Sequence, residues 1–154
     1  MIPKAVTDWL PSLNKALINS YNKEGLRASG KWAKELRSTV TETSTGFKIE
    51  AFAPAYHEQL INGRQANSNQ DKESLKGWVG WAGSTFLAKW VKDKGISASP
   101  YAVAWKIARH GVKVPNTYNS GLFVEKAITP ELMKELSEAA SSEIIETKFL
   151  KAWQ

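Results

Sequence analysis

The chain has no cysteine and only two histidines. Without cysteine there are no disulfides, thiolate zinc sites, iron–sulfur ligands or cysteine nucleophiles. The histidines do not fill the gap. His57-Glu58 begins like a His-Glu-x-x-His zinc motif, but the position of the second histidine is Ile61, and the motif fails. His110 is far away in sequence, at an expected helix end where a cation is favourable. No metal is expected, and no cofactor. Gly77, Gly80 and Gly83 make a glycine-rich stretch, yet it lacks the Gly-Lys-Ser/Thr step of a P-loop and the strand before a dinucleotide fingerprint. A Gly-x-Ser-x-Gly elbow is also absent. No run approaches the roughly 18 apolar residues of a bilayer span. The first ten residues lack the basic-then-apolar pattern of a secretory signal. The expectation is a soluble protein, not exported by a standard signal and without a membrane partner.

What is present suits one compact domain over residues 1–154. The apolar fraction is 42% and the charged fraction 23%, ordinary for a globular protein with a real core. The net charge of +6 is uneven: +8 over residues 1–128 and −2 over 129–154. A basic body raises the question of a polyanion partner; a well-solvated surface is the plainer reading.

Hydrophobic periodicity sketches an α+β chain. Val6, Trp9, Leu10, Leu13, Leu17 and Tyr21 recur at helical spacing. Pro11 implies a kink, or a fresh start capped by Asp8. Ser29 is placed to cap a short helix carrying Trp32 and Leu36. From about 38 to 53 the period becomes that of a β-hairpin, with turn chemistry at 44–46 and Phe47, Ile49, Ala51 and Ala53 on one face. Residues 65–84 read as a loop insertion or weak helix, undercut by its glycines. A helix follows from Phe86 to Lys94, stopped by Gly95. Ser99-Pro100 starts another, which ends at His110-Gly111, and Thr129-Pro130 starts the C-terminal helix. That last helix carries an apolar stripe of Leu132, Leu136, Ala139 or Ala140, and Ile144. The expected architecture is a small antiparallel sheet packed against a long N-terminal helix, with several further helices.

One ordered set of segments resembles a known family. It comprises Ala28-Ser-Gly-Lys31, Tyr56 to Gly63-Arg64, Trp90-Val-Lys-Asp-Lys-Gly-Ile96, Tyr101 to Gly111, and Gly121-Leu-Phe-Val124. In order and spacing these resemble the head–tail joining, or tail-completion, proteins of long-tailed bacteriophages, across roughly residues 5–150. Two places depart from the family pattern: residues 65–84 are longer and proline-free, and Val114 to Gly121 replaces an Arg-Pro-Phe type of step. The resemblance implies a structural virion protein of the neck, present in the host cytoplasm during assembly. It would have no catalytic activity and would form a ring, commonly sixfold, with copies of itself. Its partners would be connector or adaptor and tail-tube proteins, and DNA would pass through the channel without sequence preference.

Candidate contact residues follow. Trp78 and Trp81, in the glycine-broken stretch, and Tyr118, in the 112–121 loop, are candidates for contact between subunits. Arg64 could pair with an acidic neighbour in a ring, or simply cap a turn. Lys106, Arg109 and Lys113, at i, i+3 and i+7, would line one helical face toward DNA or toward solvent. The chain has seven tryptophans. Trp9, Trp32, Trp90 and Trp105 are expected in the core because they share helical spacing with other apolar residues. Two rival readings remain: a small basic nucleic-acid-binding protein, with tryptophans stacking on bases, and a cell-wall hydrolase using Glu58 with a second carboxylate.

Overall fold

The computed structural model describes residues 2–54, 56–66 and 87–152, with side chains to residue 142. Trp78, Trp81 and most of the 65–84 insertion lie outside the described residues. The described chain is α+β, with seven helices and one two-stranded antiparallel sheet. It forms two compact units. The first comprises Met1–Lys23, Glu35–Pro54 and Leu122–Gln154; the second comprises Glu24–Lys34 and Ala55–Gly121.

The first unit is organised by helix α1, Lys4–Lys23. Its apolar positions fall on one stripe, and Val6, Trp9, Leu10, Leu13, Leu17 and Tyr21 are all buried. The helix runs unbroken through Pro11, so there is no fresh start. Proline forgoes one main-chain bond there, on the exposed side of the helix. Asp8 instead pairs with Lys4 one turn earlier. Strands β1, Arg37–Thr43, and β2, Gly46–Phe52, form the expected hairpin. Thr43 faces Gly46, and Val40 faces Ile49. Helix α1 packs on β1, where the Ser38 hydroxyl donates to Asn14 Oδ1. Phe47 and Ile49 are half-buried and Ala51 is exposed, so the apolar face fades toward the end of β2.

The rest of this unit comes from the C-terminal part of the chain. Helices α6, Phe123–Ala127, and α7, Pro130–Ala152, both pack on α1. Phe123 is fully buried and meets Tyr21 edge-on at 5.8 Å. The buried Ser20 hydroxyl donates to the Phe123 carbonyl at 2.5 Å. Thr129 caps α7 by accepting the Leu132 N–H at 3.2 Å. Along α7, Leu132 is buried and Leu136, Ala139 and Ala140 are half-buried. The side chain of Ile144 lies outside the described residues.

The second unit holds α2, Lys31–Glu35, which runs one residue beyond it, together with α3, His57–Asn62, α4, Leu87–Asp93, and α5, Pro100–His110. Ser29 accepts the Lys31 N–H at 3.3 Å as α2 begins. Helices α4 and α5 pack through Leu87, Val91, Ala104 and Ala108. Helix α4 stops as expected at Gly95, with φ +67°. The N–H groups of Gly95 and Ile96 close back on the Lys92 and Val91 carbonyls. Pro100 opens α5, but the Ser99 hydroxyl makes no capping bond.

Truncating Phe123 to alanine removes the aromatic ring that α1 closes around. The expected loss is about 3–5 kcal/mol, read as a lower midpoint in urea unfolding followed by circular dichroism.

Candidate functional site

The distinctive geometry of the second unit lies where α3 and α5 end. Each helix stops at a glycine in the left-handed region, Gly63 at φ +76° and Gly111 at φ +68°. Each glycine N–H closes its own helix, onto Gln59 O at 2.9 Å and Ile107 O at 2.7 Å. The next residues then meet. Arg64 N–H donates to Val112 O at 2.8 Å, and Val112 N–H donates to Arg64 O at 2.7 Å. The two chains pass so closely that a Cβ on Gly63 would lie 2.1 Å from the Val112 oxygen. One on Gly111 would lie 2.4 Å from the Arg64 oxygen. Glycine is required twice, for backbone conformation and for approach.

The loop after this bridge is held by side chains that imitate main-chain turns. Asn116 Oδ1 accepts the N–H groups of Tyr118 and Asn119 at 2.8 and 2.9 Å, and its Nδ2 donates to Lys113 O. Asn119 Nδ2 reaches Leu60 O at 2.7 Å, and its Oδ1 accepts the Gly121 N–H. The Ser120 hydroxyl donates to Glu24 at 2.6 Å. At the tip of this braced loop Tyr118 is 88% exposed. The backbone that carries it is fixed by these bonds, so less ordering is required of the loop on meeting a partner.

Beside the bridge lies an open depression of about 770 Å³. Its wall is formed by the end of α3, residues 63–66, His110 and residues 112–115. Arg64, His110 and Lys113 line it together, and Glu58 is the sole carboxylate among the described lining residues. Among the described residues, then, the depression is not lined by the pair of carboxylates a glycosidase uses. Among the described residues, no group of three or more His, Asp or Glu side chains could hold a metal ion.

The three basic residues read as one helical face divide differently. Lys106 and Arg109 are exposed on α5. Lys113 follows the turn at Gly111 and sits on the rim of the depression, so the i+7 position does not continue the helix. Arg109 lies over the Trp105 ring, 5.3 Å from its centroid, and His110 meets the same ring edge-on. Trp105 is 47% exposed and Trp90 38%, against the expectation of burial. Helix α5 buries its alanine side, Ala104 and Ala108, and α4 buries Leu87 and Val91. Each tryptophan stands next to those positions around its helix, on the flank rather than in the seam. Trp9 and Trp32 are buried as expected.

His57 is held by a neighbouring indole. Trp32 Nε1 donates to His57 Nδ1 at 3.3 Å, and the rings stack 6.0 Å apart. Burial holds the His57 pKa below its ordinary 6.5, and a neutral ring is what the accepted bond needs. Burial likewise lowers the pKa of Lys94, whose ammonium donates to the Gly25 carbonyl.

Comparison with family models, with curated proteins and with solved structures found no match to this chain.

Two outcomes follow. Gly111→Ala should cost more than about 2 kcal/mol, from positive-φ strain plus main-chain collision. It should also strip hydrogen-exchange protection from the Arg64 and Val112 amides. For His57, the folded state binds the proton less well than the unfolded chain. Its contribution is full above about pH 6.5 and is lost as pH falls through the lower folded pKa. The thermal midpoint should drop on acidification below pH 6.5, and less steeply in His57→Gln.

Proposed function

We propose that this chain is a structural protein of the head–tail junction of a long-tailed bacteriophage, working without catalysis as a member of a ring around the DNA path. The observation that carries the reading is the position of the segments that suggested it. Tyr56 to Arg64 and Tyr101 to Gly111, distant in sequence, end in the two glycines that permit the Arg64–Val112 bridge. Trp90 to Ile96 contains the glycine stop of α4. These three segments thus supply turn-making and chain-crossing residues of the second unit, which supports a resemblance of architecture.

In this reading the ring contact uses Tyr118, with Arg64 and the depression beside it. Trp78 and Trp81 are further proposed contacts. A heterologous contact needs two unlike surfaces on one subunit; a projecting ring and an open depression answer that description. Lys106, Arg109 and Lys113 are the proposed contacts to passing DNA. The proposed partners are further copies of the chain, the connector or adaptor, and the tail tube, in the virion.

The exposed Trp105 with Arg109 over it also favours a second reading, a basic protein that binds single-stranded nucleic acid by stacking and charge.

Gold-conjugated antibody on purified virions should label the head–tail junction alone, and Tyr118→Ser should reduce incorporation there without unfolding the chain. Virions that lack label while their epitope is demonstrably accessible would sink the neck reading. Oligonucleotide quenching of tryptophan fluorescence with a steep salt dependence would then support the second.

A further inference from the structure

The hairpin has an edge that nothing described covers. A two-residue turn at Ser44 and Thr45 makes Thr43 and Gly46 a hydrogen-bonded pair. Bonded and non-bonded pairs alternate along an antiparallel ladder. Hence Gly46, Lys48, Glu50 and Phe52 spend their main-chain groups on β1, while Phe47, Ile49 and Ala51 point theirs outward. None of these three makes a main-chain hydrogen bond beyond the hairpin. Among the described residues no strand lies beside β2, and no element other than β1 packs substantially on it. The strand has no proline, the usual guard of an open edge, and a two-stranded sheet is marginal by itself.

We propose that β2 pairs with β2 of a second copy, antiparallel about a two-fold axis at Ile49, to form a four-stranded sheet. The sequence of the strand is self-complementary in this register and in no neighbouring one. With Ile49 opposite Ile49 of the partner subunit, the outward-pointing residues face one another and can exchange main-chain bonds. Lys48 then lies opposite Glu50 of the partner subunit, and Glu50 opposite the partner's Lys48. These are non-hydrogen-bonded pairs, in which side chains stand closest. Moving the register by two residues sets lysine against lysine or glutamate against glutamate, which is destabilising. Moving it by one sets an outward-pointing main chain against one already used.

Two further features fit. Phe52 is half exposed and would lie across the partner's Gly46, an aromatic ring covering a strand glycine. Lys48 and Glu50 of one strand already touch at 2.7 Å in an exposed pair. Such a pair contributes little, so exchanging it across the two-fold loses little. The contact is isologous and lies within the first unit, so it is independent of the ring reading, which needs a heterologous contact.

Sedimentation velocity of the full chain across a wide concentration range tests this at ionic strength where exposed charges act over about 8 Å. The wild-type chain should show a reversible monomer–dimer equilibrium. Lys48→Glu and Glu50→Lys should each weaken it about tenfold or more, and the double exchange should restore it. Ala51→Pro removes one outward N–H and no hairpin bond; it should abolish the dimer while leaving the circular dichroism spectrum and thermal midpoint near wild type. A monomer at every concentration would overturn the pairing, as would single reversals without effect or a double exchange that fails to restore association. A larger ring indifferent to all these substitutions would overturn it too, while leaving the ring reading intact.

Discussion

The reciprocal main-chain bridge between Arg64 and Val112 is the constraint from which the second unit takes its form. Its two hydrogen bonds are ordinary in strength, each a net contribution of about 1 kcal/mol. The close approach matters more, because Gly63 and Gly111 each leave the space in which the other strand's carbonyl sits. That contact brings the ends of α3 and α5 together. It also launches the loop that Asn116 and Asn119 brace, and it forms one wall of the depression. Gly121 completes the arrangement, since a Cβ there would meet Val114 Cγ1 at 2.6 Å and the Ile61 oxygen at 3.0 Å. Three glycines thus act as points where backbone replaces side chain.

The first unit rests on a different principle, the apolar stripe of one long helix. Its fit is not complete. Trp9 is buried, yet its indole N–H finds no acceptor among the described residues; a buried donor left unpaired costs about 1–3 kcal/mol. Ser20, buried on the same helix, shows the opposite solution by donating to the Phe123 carbonyl.

Much of the fold was legible because local physics wrote it. The stripe from Val6 to Tyr21, the turn before Gly46, the stop at Gly95 and the cap at Thr129 all depend on neighbours a few residues away. Where local rules met a long-range demand, they misled. Helical spacing put Trp90 and Trp105 on apolar faces, but α4 and α5 are short and meet through small or aliphatic residues, so the tryptophans fall to the flank. Lys113 keeps helical spacing with Lys106 and Arg109, yet Gly111 has already turned the chain. Pro11 allowed a kink or a fresh start capped by Asp8, and α1 makes no fresh start there. The candidate site was legible in its parts, since the exposed loop with Tyr118 and the Gly63-Arg64 step could both be singled out. Nothing local says that residue 64 meets residue 112, or that Trp32 donates to His57. A tryptophan followed four positions later by arginine was the available signal for the exposed Trp105–Arg109 pair.

The interleaving of the two units has a consequence for how the protein is made. Helix α1 is synthesised well before two helices that cover it, which start at Phe123 and Pro130, and Ser20 finds its acceptor 103 residues later. At about 5–20 residues per second of synthesis, α1 waits roughly 5–20 s for these two helices, with the hairpin strand β1 made in the meantime. Residues 24–34 and 55–121, which make up the second unit, are synthesised in that interval. The helices that cover α1 are therefore made about a hundred residues after it, so part of its apolar stripe stays uncovered until residues 123–152 appear.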